Sequence, residues 1–418
     1  MLTDQINAVS ILPQISGDTP VYMLIDKIKR LAKEYNDDII GIRRHLHQHP
    51  ELSYEEVKTG RLIAEKLTQF NIPHQHGWAQ NGVVGLIEGK NPSKKIIALR
   101  ADFDALPIQE ANDVPYKSTV PGVMHACGHD AHTASMLGTA RILYNLRDQF
   151  EGTIKLIFQP AEEKTPGGAS IMIKEGVLQN PSPASILGQH VHPPLEAGKV
   201  GLKPGIYMAS SDEIYMTIRG KGGHGAMPQE GIDPIVITAH IITALQQIVS
   251  RNASPTLPTV LTLGKINSIG GATNVIPDEV KVEGTFRTLD ETWRNEAKRR
   301  IKKMAETIAE SMGGVCDFYF QDGYPVLHND EAMTQSVKNF MIEYCGPENV
   351  VDLALRMTSE DFAYYSHEIP ACFYRLGTGS KARGITSGLH TPTFDIDEKA
   401  LQLGMGLMAW LAIKELGN

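Results

Sequence analysis

SDEIYMTIRG, residues 211–220, sets Ile214, Met216 and Ile218 on one side of an extended chain and Glu213, Tyr215, Thr217 and Arg219 on the other. That is the signature of a strand with one exposed face. The apolar runs before it are short and continuous: GVVGLIEG (82–89), IIALRAD (96–102), GTIKLIFQP (152–160) and ASILGQH (184–190). Helix-like spacing occurs at 21–36 and 54–69, where Val57, Leu62, Ile63 and Leu67 share a predicted face, and again at 130–147 between the second and third runs. Strands alternating with helices predict an α/β unit with a largely parallel sheet. The pattern therefore changes after about residue 205.

Downstream of 211–220, the turn-rich GGHGAMPQEG (222–231) leads into a helical pattern at 232–250. Two alternating strands follow, TVLTLGKINSIG (259–270) and EVKVEGTFRTL (279–289), then a helix at 290–311 and a strand at 314–322. The order β-α-β-β-α-β predicts a compact sheet with two helices on one face. From 325 mixed α/β character returns, and ACFYRL (371–376) reads as a strand of the first sheet. The expected fold is α/β: a mixed-sheet catalytic domain with helices on both faces, residues 1–204 and 325–418, carrying an inserted α+β satellite domain at 205–324. Such insertion is feasible because domain termini often lie close together.

The 418 residues exceed what one core ordinarily serves. With 40 basic against 48 acidic residues the net charge is −8, which disfavours a nucleic-acid partner. The basic run AKRRIKK (297–303) falls within a helical pattern and reads as a solvated face. Four cysteines, at 127, 316, 345 and 372, form no CxxC pair, so a reducing compartment and a cytoplasmic location are expected. The first twenty residues do not have the pattern of a secretion signal, no run is long and apolar enough to span a membrane, and no membrane partner is expected.

Polar clusters follow the apolar runs. Asp102 and Asp104 follow IIALR, Glu162 and Glu163 follow TIKLIF, His190 and His192 follow SILGQ, and His390 lies beyond ACFYRL and its glycine-rich loop. Carboxyl ends of strands in open α/β sheets form the binding crevice. HACGHDAH (125–132) adds Cys127 and His129 in a loop entering a helix near Asp130. Cys127, His129, Glu163, His190 and His390 could converge on metal, with a thiolate able to bridge two ions and Glu162 left free as a general base. Asp130 has the plainer reading of a helix cap, and His125 and His132 that of bonding nearby backbone. Two rival readings stay open: Cys127 as the nucleophile of a thiol enzyme, and no catalysis at all.

RADFDALP (100–107), HACGHDAH, QPAEE (159–163), GQHVHP (188–193), KGGHGAMP (221–228), GGATNVIPD (270–278), GTFRT (284–288), SEDF (359–362) and GLHTPTF (388–394) occur in register. Together they resemble the metal-dependent aminoacylase/carboxypeptidase family M20, in particular its amidohydrolase branch, over roughly residues 35–410. The resemblance implies two divalent ions per subunit, held by Cys127, His129, Glu163, His190 and His390. Zinc comes first, with manganese, cobalt or nickel as alternatives. It implies Glu162 as general base and then acid, and Asp104 as a residue orienting a metal-site group. It also implies a homodimer through the satellite domain, with His224 reaching the partner's site to stabilise the oxyanion. Asn274 and Arg287 are implied to bind substrate, Arg287 through the α-carboxylate. The implied reaction is hydrolysis of N-acyl-L-amino acids to a carboxylic acid and a free amino acid. A dipeptidase or carboxypeptidase with the same centre is the nearest alternative; a Cys127 thiol hydrolase or a non-catalytic binding dimer stands further off.

Overall fold

The structure is a computed structural model that describes residues 21–417; the first twenty residues, to which the sequence assigns no function, lie outside the described residues. The leading helix runs Val21–Gln48, well past the expected end at 36. Leu24, Ile28, Tyr35, Ile39, Ile42 and Leu46 recur at helical spacing and are all buried. In the next helix, Val57–Gln69, Ile63 and Leu67 are fully buried, but Val57 at its first position is exposed and does not share their face.

An eight-stranded mixed sheet organises the larger unit. Its order is His74–Trp78, Gly82–Glu88, Thr153–Gln159, Ile96–Asp102, Ile186–Glu196, Ala371–Gly379, Val200–Leu202 and Val350–Asp352. The four central strands, from Thr153–Gln159 to Ala371–Gly379, are mutually parallel. Both faces are covered, which explains why apolar residues point to both sides of these strands. Leu99, Leu156, Leu187 and Tyr374 join a core with Ile39, Leu137 and Trp410. Their alternates Ala98, Ile157, Ile186 and Phe373 join a second core with Met172, Phe362 and Tyr365.

The satellite is a separate four-stranded antiparallel sheet, ordered Thr259–Ile269, Glu279–Thr288, Asp212–Arg219 and Val315–Asp322. Ile214, Met216 and Ile218 are buried against Ile237, Ile241 and Leu245 of one helix and Ile301 and Ala305 of another, while Tyr215 stays exposed. Asp233 and Asp290 cap those helices, Asp233 accepting from the backbone N–H groups of Ile235 and Val236 and Asp290 from that of Trp293. The chain enters and leaves the satellite through two strands that pair antiparallel, Gly205–Met208 and Leu327–Asn329. Tyr207, Met208 and Leu327 pack in the core of the larger unit. Among the described residues no helix is long and apolar enough to cross a membrane.

Candidate metal centre

Donor side chains converge at the carboxyl end of the parallel strands. The ligand atoms of Cys127, His129 and His190 lie within 4.8 Å of one another, and so do those of Cys127, Glu163 and His390. Cys127 belongs to both sets. Gly128 makes the local turn: it is left-handed at φ 88°, and a Cβ there would meet Val191 Cγ2 at 2.5 Å. The helix His129–Asn145 starts directly after it, one residue earlier than expected. His190 lies within a long strand rather than beyond its end. His390 holds a left-handed backbone at φ 60°, a conformation a non-glycine residue keeps only when its surroundings dictate it.

The remaining ring nitrogens of His129 and His190 are committed. His129 Nδ1 lies 3.1 Å from Asp104 Oδ1, and His190 Nδ1 lies 2.8 Å from its neighbour's carbonyl, Val191 O. Donation through Nδ1 leaves each Nε2 lone pair facing the centre. Asp104 also accepts from Ser53 Oγ at 2.6 Å and from the backbone N–H groups of Glu162 and Glu163 at 3.0 and 2.9 Å. One carboxylate thus fixes both the imidazole and the turn that carries the glutamates. His132 takes no place among the donors: its Nδ1 is 2.5 Å from Asp102 Oδ1 and its Nε2 accepts from Val191 N. Asp130 is not a cap but a buried ion-pair partner of Arg43 at 2.8 Å and His47 at 2.7 Å, tying the first helix to the metal-binding loop.

The donor set fits a pair of cations. His129 Nε2 and Glu163 Oε1 are buried with no hydrogen-bond partner, an unusual state for polar atoms. Burial and the carboxylates of Glu163, Glu162 and Asp102 push the Cys127 thiol far up, so a thiolate needs a cation beside it. Burial together with Glu360, Glu163 and Asp361 likewise raises Glu162 well above the ordinary carboxylate range. This excess of negative charge is what two divalent ions would neutralise, returning Glu162 to its basic form. The chain therefore carries a dinuclear metal-binding site built from cysteine, histidine and carboxylate donors.

Glu162 is 5% exposed and lies 3.9 Å from His129 Nε2. The Tyr324 hydroxyl, arriving from the end of the satellite crossing, donates to the Glu162 carbonyl. Arg287 lines the same cleft and donates to Met357 O at 3.2 Å and Ser359 Oγ at 3.4 Å, closing the satellite onto the larger unit. His224 and Asn274 come together elsewhere. They sit on the short pair of strands Gly223–His224 and Val275–Ile276, where Gly225 N donates to Asn274 O at 2.7 Å, and both are exposed and outside the residues lining the cleft. Sequence reasoning gave no role to Arg100, Glu360 and Asp361. Arg100 pairs with Asp102 and Asp361 at 2.6 Å and with Glu360 at 3.1 Å directly behind the donors. An arginine at the end of an apolar strand run, followed by aspartate two residues on, was the available signal for that network.

The model of peptidase family M20/M25/M40 matches residues 98–414. Thermostable carboxypeptidase 2 of Saccharolobus solfataricus is 39% identical over 394 residues, covering 94% of this chain and 98% of its own length. The N-acetyl-L-cysteine deacetylase of Bacillus subtilis is 42% identical over 396 residues, covering 93% and 92%. Among solved structures, the YXEP protein of Bacillus subtilis, described as a dinuclear metal-binding peptidase of family M20, superposes with a TM-score of 0.78 at 35% identity. That match covers 92% of this chain and 99% of YXEP.

Proposed function

The chain belongs to peptidase family M20/M25/M40, and from that premise we propose that it hydrolyses N-acyl-L-amino acids to a carboxylic acid and a free amino acid. The observation that carries the reading is the pair of donor sets sharing Cys127, with the buried carboxylate of Glu162 beside them. When bound, two divalent ions, zinc before manganese, cobalt or nickel, supply Lewis acidity toward the carbonyl and lower the pKa of water. Cys127, His129, Glu163, His190 and His390 hold them. Asp104 keeps His129 in the tautomer that offers Nε2. Glu162 takes a proton from the attacking water and returns it to the leaving nitrogen. Arg287 presents its guanidinium to the α-carboxylate, and Asn274 contacts the substrate.

His224 serves the neighbouring copy in a homodimer formed through the satellite. Its Nδ1 accepts from Ala226 N at 3.1 Å, so the neutral ring carries its proton on Nε2, as an oxyanion donor must. The exposed position of His224 outside its own cleft supports that arrangement. A cytoplasmic setting belongs to the same proposal and is supported by four unpaired cysteines. The likeness to a thermostable carboxypeptidase favours one second reading, cleavage of peptide rather than acyl amides.

Free amino-acid release separates these readings. The panel is N-acetyl and N-benzoyl amino acids and plain dipeptides, tested on metal-depleted protein with zinc, manganese, cobalt or nickel restored. Metal-dependent release from the acyl compounds is expected. Release from dipeptides alone would select the peptidase reading, and undiminished release without metal would revive Cys127 as a nucleophile.

A further inference from the structure

Resting on the hydrolase reading above, we infer that Arg356, backed by Arg375, forms a second carboxylate-recognition element in the cleft, so that preferred substrates carry an anionic group besides the α-carboxylate. Arg287, Arg356 and Arg375 all line the cleft that holds the metal donors. Among the described residues none of the three is in a salt bridge, whereas Arg43, Arg100 and Arg294 elsewhere in the interior each pair with carboxylates. Interior guanidinium groups without counterions cost several kcal/mol unless something compensates them.

Arg375 is 2% exposed and stands opposite His190 in the parallel register. Its hydrogen-bond partners are neutral: Nε donates to the Tyr207 hydroxyl at 3.1 Å and Nη2 to Met208 Sδ at 3.0 Å, and the group lies over the Phe373 ring; the one acid its charge acts on, Glu360, is already 3.1 Å from Arg100. Arg356 is half-buried with its backbone locked to the crossing strand, its N–H donating to Tyr207 O at 3.0 Å and its carbonyl accepting from Ala209 N at 3.1 Å. Its side chain finds only His192 Nδ1 and Thr358 Oγ1, both at 3.4 Å, and Nη2 makes no hydrogen bond among the described residues. Burial and the nearby Arg375 charge both lower the Arg356 pKa.

Of the acids lining the cleft, Glu162 and Glu163 belong to the metal centre, Asp212 is paired with Arg294 at 2.7 Å, and the other three have partners of their own. Glu360 is 3.1 Å from Arg100, Glu283 is 2.8 Å from Lys265, and Glu213 accepts from the Tyr215 hydroxyl. They leave the open edge of the Arg356 fork to a ligand carboxylate, whose planar geometry it matches. Since Arg287 is assigned the α-carboxylate, Arg356 is left for a second one, on either the amino-acid side chain or the acyl group.

Calorimetry on the metal-loaded, full-length Glu162→Gln protein isolates binding from turnover. N-acetyl-L-alanine carries one carboxylate. N-acetyl-L-glutamate adds one on the amino-acid side, and N-succinyl-L-alanine adds one on the acyl side. At least one dicarboxylate is expected to bind about tenfold tighter than N-acetyl-L-alanine, and which one does so locates the subsite. Adding Arg356→Gln should bring that ratio close to one, while Arg356→Lys, which keeps the charge, should retain part of it. A ratio of one or less in the parent, a ratio that survives Arg356→Gln, or equal ratios in the Gln and Lys variants would overturn the inference. Failure of the unsubstituted protein to hydrolyse any of the three would strike the hydrolase reading and leave the binding ratio to decide this one.

Discussion

The larger unit and the satellite set their functional histidines in opposite surroundings. His129 and His190 are at most 4% exposed, each with one ring nitrogen tied down by Asp104 or backbone. His224 stands exposed on a two-residue strand, steadied by one bond from Ala226 N within its own turn. Metal ligands must be held to a fraction of an ångström before any ligand arrives. A group that completes the site from outside needs a free donor and a movable platform. Under the proposed function, the contrast is between a metal pocket that one chain finishes by itself and a histidine that it presents outward, for a neighbouring copy.

Cys127→Ala tests the finished half most severely, because the sulfur belongs to both donor sets. Bound metal should fall from about two ions per chain to one or fewer, and turnover by about 10³-fold or more. Elemental analysis beside an activity assay reads both; two retained ions would break the assignment of Cys127 as the shared donor. Asp104→Asn should act more mildly, weakening metal affinity about 10–100-fold, as measured by chelator competition. An unchanged affinity would mean that the imidazole is held some other way.

The smallest effect concerns the buried link behind the pocket. Burial and Arg43 pull the His47 pKa down, but Asp130 and Glu110 outweigh them and raise it. A raised folded-state pKa gives stability that is complete below the unfolded value near 6.5 and is lost as pH rises through the folded value. The thermal midpoint should therefore fall as pH rises above about 6.5, and His47→Gln should flatten that slope. An identical slope in the variant would assign it to other groups.

Much of this was legible in the sequence, for reasons the structure makes plain. Ile214, Met216 and Ile218 alternate because their strand has one buried face; Ile97, Ala98 and Leu99 do not alternate because theirs has two. Cys127, His129, Glu162 and Glu163 are near neighbours in short motifs, so their company showed directly. Arg375 acquires meaning only from the register that sets it opposite His190, and Arg356 only from its pairing with the crossing strand. No local spacing encodes such long-range registers. The same applies to Arg100, whose partners Glu360 and Asp361 are about 260 positions downstream in sequence.

Mixing Glu162→Gln with His224→Ala protein tests most directly whether the two halves of one site come from two chains. Each variant alone should be nearly inactive. In a mixed dimer one site regains both an intact Glu162 and an intact His224 from the opposite subunit. Random exchange should then restore about a quarter of the wild-type rate, since half the dimers are mixed and each has one whole site. Activity no higher than that of the separate variants, with mixed dimers verified by mass spectrometry, would contradict the account.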